Sequence, residues 1–185
     1  MFIQTESTPN PATLKFLPGQ PVLGQGAADF TDPEAAAKSP LAQAIFATDG
    51  VTGVFLGADF VTVTKTDDVD WAHIKPAILG AIMEHYQSGR PTMEGAAQEG
   101  HATQDGPDSE IVEQIKELLD TRVRPAVAQD GGDITFHGFD RGVVYLHMKG
   151  ACAGCPSSTL TLKMGIENLL RHYIPEVTEV RPVAV

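Results

Sequence analysis

Gly150-Ala151-Cys152-Ala153-Gly154-Cys155-Pro156-Ser157 is the stretch on which the reading of this chain turns. It holds both cysteines of the 185 residues. The alternating run Val143-Val144-Tyr145-Leu146-His147-Met148 reads as a strand leading in. Leu162, Ile166, Leu169, Leu170 and Tyr173 recur at helical spacing and read as a helix leading out. Two thiols separated by two residues can close on one metal centre or on one another. Thiolates are soft donors suited to iron–sulfur clusters, zinc or copper(I). A tetrahedral zinc or a cubane cluster draws on four protein ligands, and this loop brings two. Further donors have to come from a second chain, a small molecule or a non-cysteine side chain.

Four readings of the loop follow from residue chemistry. Cys152 and Cys155 could join those of a second chain around one [4Fe–4S] cluster. They could form a thiol redox pair, share a zinc ion between chains, or be incidental. Gly150 and Gly154 make room for a bulky group. The start of the following helix, with Pro156 fixing its entry, is expected to favour thiolates. Against the redox pair, such motifs follow an early strand of a larger fold, whereas this loop follows a hairpin in a domain of about 77 residues.

Working outward, Asp130-Gly131-Gly132-Asp133 reads as a loop that needs positive φ at a glycine. The runs 134–139 and 143–148 flank Asp140-Arg141-Gly142 as a hairpin. Upstream, Asp108-Ser109 caps a helix with the stripe Ile111, Ile115, Leu118, Leu119 and Val123, which Pro125 ends or kinks. Downstream, Ser157 or Ser158 is expected to cap the exit helix, and Val177–Val183 alternates as an edge strand. Residues 109–185 thus read as helix, strand, strand, cysteine loop, helix, strand.

Residues 1–90 form a second unit. Phe2–Thr5 and Thr13–Leu17 read as strands around the turn-rich Ser7–Pro11, and 19–38 as loop with at most a short strand. Ser39-Pro40 starts a short helix to Thr48. Val51–Leu56 and Phe60–Lys65 make a hairpin. Asp70 opens a longer helix with Trp71, Ile74, Ile78, Ile82 and Tyr86, in which Pro76 is an awkward guest, and Gly89-Arg90-Pro91 closes it. Trp71 and Phe55 are expected in its core. Residues 91–108, acidic and poor in large apolar side chains, read as a flexible linker. The fold class is α+β, two small domains joined by that linker.

Net charge is −11. It divides as −5 over 1–92 (5 basic, 10 acidic), −4 over 93–108 (0 basic, 4 acidic) and −2 over 109–185 (8 basic, 10 acidic). No segment carries the basic face that nucleic-acid backbones or anionic membranes require. Met1–Thr5 lacks the features of a signal or transit peptide. The chain as given therefore reads as cytoplasmic and bacterial, or as an organelle protein whose leader was replaced by Met.

Other polar residues receive plainer readings. Asp130 and Asp133 are expected to serve the turn. His137 and His147 are expected to face each other across the hairpin, and His172 to complement a helix end.

The stretches Asp130–Asp133 and Met148–Ser158 resemble the NifU C-terminal-like domain. Thr5–Phe16 resembles the Nfu N-terminal domain. The two occur in the order of mitochondrial-type and α-proteobacterial Nfu proteins. The resemblance implies a carrier, not an enzyme, holding a [4Fe–4S] cluster between two subunits. Cys152 and Cys155 match the family's ligand positions. Implied partners are an upstream assembly scaffold, apo iron–sulfur client proteins and, with cluster bound, a second copy of the chain. Thr5–Pro11, polar and proline-rich, is expected to shape a partner-contact surface. Full-length NifU carries a cysteine-bearing scaffold domain that has no counterpart in these residues, so carriage rather than de novo assembly is implied.

Overall fold

The computed structural model describes residues 2–24, 26–94, 102, 104–152 and 156–183, with backbone alone at 156–159. The chain divides into two compact units, Met1–Gln98 and Glu99–Val185, both α+β.

In the first unit, strands β1 (Gln4–Ser7), β2 (Thr13–Leu17), β3 (Ala28–Phe30), β4 (Val51–Leu56) and β5 (Val61–Lys65) form one sheet. Its order is β1-β2-β5-β4-β3, with every neighbouring pair antiparallel. Strand alternation sends Phe16, Val54, Leu56, Val61 and Val63 to one face, where helices α1 (Pro40–Phe46) and α2 (Trp71–Ser88) cover them with Leu41, Ile45, Ile74, Ile78 and Ile82. The opposite parity places Lys15, Phe55 and Thr62 on the other face, all buried. There the Lys15 ammonium lies 4.7 Å from the Phe60 ring centroid.

The Ser39-Pro40 start is as read. The Ser39 hydroxyl accepts from Ala42 N–H at 3.1 Å and donates to the Thr92 carbonyl at 2.6 Å. Two sequence expectations shift. The first strand begins at Gln4 rather than Phe2, and Ser7 belongs to it. The short strand allowed within 19–38 is β3, and a 3-10 turn (Ala35–Lys38) follows it. Pro76 sits inside α2 without ending it. Pro76 and Ala72 both face solvent, so the carbonyl that Pro76 leaves without an N–H donor can be hydrated.

In the second unit, β6 (Gly132–Asp140), β7 (Val143–Gly150) and β8 (Glu179–Pro182) form a sheet in that order. β6–β7 is an antiparallel hairpin, and β7–β8 is a parallel pair joined through α5 (Pro156–Tyr173). α3 (Ser109–Leu118) passes through a π-turn (Leu119–Val123) into α4 (Arg124–Gln129). The regular α-helix is thus interrupted just before Pro125, as expected, and Pro125 falls at the first positions of α4. The buried positions Ile115, Leu119, Val123 and Val127 recur every four residues. A repeat of four drifts off the face of a 3.6-residue helix, and one wider turn holds the stripe on the sheet.

β6 carries a bulge between Phe136 and Gly138. The extra residue inverts strand parity, so Ile134, Phe136 and Phe139 all reach the core. It also leaves His137 unpaired and exposed, while His147 stands opposite Thr135. The expected His137–His147 cross-strand pair is therefore not formed.

Of the segment expected as linker, Glu94 N–H bonds the Lys38 carbonyl at 2.6 Å, and Met93 packs on the first core. Ala102 N–H bonds the Phe136 carbonyl at 2.9 Å, and the Gln104 amide clamps both backbone groups of Phe139 at 2.7 and 2.8 Å. Those contacts cover the outer edge of β6 at its bulge.

Candidate functional site at the β7–α5 junction

The cysteine loop leaves the carboxyl end of β7 and enters the start of α5, the usual location of ligand sites in strand–helix–strand units. Gly150 ends β7 with φ +62°, and Gly131 approaches from the β6 side with φ +81°. Ala151 N–H donates to the Gly131 carbonyl at 3.2 Å, and Cys152 N–H to the Lys149 carbonyl at 3.3 Å. The two glycine-rich stretches singled out in the sequence are therefore stitched together. Gly132 faces the Cys152 sulfur directly: a methyl group at Gly132 would collide with Sγ and lie 2.9 Å from the Lys149 carbonyl oxygen.

Cys152 is 8% exposed and belongs to the second unit's hydrophobic core. Burial, then the charges of Asp130 and Asp133, push its thiol up to about 12. The sequence expectation of a helix-stabilised thiolate thus fails for Cys152. It precedes α5 by four residues and is held against the core. Cys155 lies outside the described residues, so the second half of the expected ligand pair has no described position. Ser157 and Ser158 lie within α5, which begins at Pro156, rather than at its cap.

Beneath the loop is an ion pair that the sequence reading missed. Arg124 Nε and Nη2 donate to both oxygens of Asp133, at 2.8 and 2.9 Å, and Nη1 donates to Asp120 at 3.0 Å. Asp133 is buried and also accepts Ile134 N–H at 2.9 Å. Far from serving only a turn, Asp133 is the first side chain inside β6 and anchors α4 to it. The Arg124 pKa rises further above its ordinary value, chiefly through the Asp133 hydrogen bonds. Asp120 and Arg124 show the i,i+4 spacing of a helical pair. No local pattern links either to Asp133.

Among the described residues, no three or more His, Cys, Asp or Glu side chains are grouped to hold a metal ion. A metal bound at Cys152 therefore needs donors from beyond the described residues of one chain. The donor on offer is a soft thiolate precursor, which fits iron, zinc or copper(I) in preference to magnesium or calcium.

Two family models match the sequence: "Scaffold protein Nfu/NifU N terminal" over residues 3–89 and "NifU-like domain" over 115–181. The chain belongs to the Nfu/NifU family. Among its curated Nfu/NifU relatives, "NifU-like protein 4, mitochondrial" of Arabidopsis thaliana is 56% identical over 96% of this chain and 64% of its own length. "NFU1 iron-sulfur cluster scaffold homolog, mitochondrial" of Homo sapiens is 50% identical over 99% of this chain and 72% of its own. A solution structure of a NifU-like protein from Saccharomyces cerevisiae aligns with 50% of this chain and 84% of its own, at 33% identity and TM-score 0.45.

These relatives overturn the cytoplasmic expectation, since both curated proteins are mitochondrial by name. That expectation rested on Met1–Thr5. The chain spans about two thirds of the length of the relatives it matches, so its first residues carry no information about compartment. No described helix is long and apolar enough to cross a membrane.

Proposed function

We propose that this chain is an iron–sulfur cluster carrier, not an enzyme. Cys152 and Cys155 of two copies supply four thiolates to one [4Fe–4S] cluster. The cluster arrives from an upstream scaffold and leaves for apo iron–sulfur proteins. The observation that carries the reading is the half-complete donor set at the β7–α5 junction: two cysteines per chain, one of them seated on glycine backbone in the family's domain.

The thiol chemistry supports carriage over storage. Loading converts the Cys152 thiol to a metal-bound thiolate and releases its proton. On transfer, a client cysteine gives up a proton and bonds the iron. Cys152 takes a proton back and returns to a site that disfavours its charge. Burial favours the neutral Cys152 thiol once the metal has left. The same feature opposes a redox role, because an attacking thiolate requires a lowered thiol pKa.

The test is anaerobic reconstitution of the full chain with iron and sulfide, followed by iron analysis, visible spectroscopy and sedimentation. The reading expects a brown dimer with about four irons per two chains, lost in the Cys152→Ser/Cys155→Ser double variant. Iron retained by that variant, or a complete cubane on a monomer, overturns it.

A further inference from the structure

Most apolar residues of α5 face the core, but Leu160 and Met164 are 58% and 57% exposed. They lie four residues apart, on one face of the two turns nearest the cysteine loop. Further along the same face the helix turns polar, at Asn168, Arg171 and His172. On this face large apolar exposure is therefore confined to the turns nearest the cysteine loop; Tyr173, 47% exposed at the far end of α5, lies on another face with the Arg122 guanidinium 5.1 Å from its ring centroid.

Gly165 adds an independent observation. A glycine within a helix weakens it relative to alanine, yet a Cβ built on Gly165 would meet nothing within 4 Å. No packing within the chain requires its absence. Gly80 of α2 is open in the same way, but among the described residues no large exposed hydrophobic side chain lies beside it. Gly165 directly follows Met164 in α5, so a backbone can approach closely beside that exposed side chain.

We infer that Leu160, Met164 and Gly165 form the contact through which the α5 helices of two copies meet while a cluster bridges their loops. The inference rests on the shared-cluster reading above. A second copy is the occupant because the donor set is incomplete without one, and because Leu160 follows Cys155 by only five residues. Two copies that share a cluster bring these turns together about a two-fold axis, which requires a self-complementary patch. Charge agrees: each chain carries −11, while the exposed positions Leu160, Thr161, Met164 and Gly165 are all neutral. The patch is small. Stable protein interfaces bury about 1,200–2,000 Å², which two side chains per copy do not approach. The contact therefore holds only with the cluster in place, and giving up the cluster dissolves the dimer.

The experiment compares full-length wild type, Leu160→Glu/Met164→Glu, Gly165→Ala and the double cysteine variant. Each is reconstituted anaerobically with iron and sulfide, then assayed by iron content, sedimentation and thermal unfolding of the apo form. Wild type is expected to be a monomer when apo and a dimer when loaded. The glutamate pair should keep the apo melting curve of wild type, yet weaken the loaded dimer at least about ten-fold through like charge. Gly165→Ala should raise the apo melting temperature of the second unit by about 2–8 °C. The same change should weaken the loaded dimer about five-fold or more. A loaded wild-type-like dimer in both variants overturns the contact and leaves the shared cluster standing. A loaded dimer that fails only in delivery to an apo acceptor also overturns it, assigning the face to clients. Iron retained by the double cysteine variant overturns the parent reading instead.

Discussion

Gly132 and Cys152 are in direct contact across the β7–α5 junction, glycine backbone against cysteine sulfur. The pair couples the Asp130–Asp133 turn to the cysteine loop more tightly than either stretch suggests alone. A side chain at Gly132 would meet Sγ, the Lys149 carbonyl and the Cys152 N–H together, and two of those three are backbone.

Gly132→Ala should therefore destabilise the second unit by about 1–3 kcal/mol, the range for overpacking a filled site. Urea unfolding of the apo chain measures the loss, and iron retention after reconstitution should fall with it. Gly138→Ala is the control: its Cβ would meet only Gln104 Oε1 at 3.9 Å. Equal stability for the two variants would contradict the contact.

Arg124→Ala leaves Asp133 buried with its principal counter-charge removed. Breaking such a pair costs about 3–5 kcal/mol. Arg124→Lys keeps the charge but loses the two-pronged geometry, and should fall between wild type and Arg124→Ala. Chemical denaturation ranks the three, and a lysine variant no better than alanine would refute the role of the fork.

Cys152 should be a poor nucleophile in the folded apo chain. With its thiol pushed up to about 12, the thiolate is rare at pH 8. Alkylation by iodoacetamide should be at least about ten-fold slower than for the same cysteine in the urea-unfolded chain. Fragment mass spectrometry separates Cys152 from Cys155. Equal folded and unfolded rates would show that the sulfur is not held as described.

His147 is held below its ordinary value, first by burial and then by His137. The unfolded chain binds that proton more readily, so His147 favours folding above about pH 6.5 and opposes it as pH falls. The unfolding free energy of the second unit should decrease between pH 8 and pH 5, and His147→Gln should flatten that part of the slope. An identical slope in the variant would remove His147 from the cause.

Much of this architecture was legible because it depends on local order. Ser39-Pro40 reads as a helix start since the hydroxyl and the fixed φ act within one turn. The hairpins read from alternation and turn residues. Pro76 inside α2 escapes a local reading, because whether a proline breaks a helix depends on hydration of the freed carbonyl. His137 was placed opposite His147 because alternation cannot reveal a bulge that Gln104, 35 residues upstream of Phe139, helps to hold.

By itself the sequence determined the two α+β units, the element order and the one place where sulfur chemistry can occur, since periodicity and a cysteine pair are properties of neighbouring residues. Tertiary structure alone decided that Cys152 is a buried neutral thiol resting on Gly132, that Asp133 anchors Arg124, and that Leu160 and Met164 stay exposed. Each of those depends on which surfaces the folded chain removes from water, and desolvation is set by packing between residues distant along the chain.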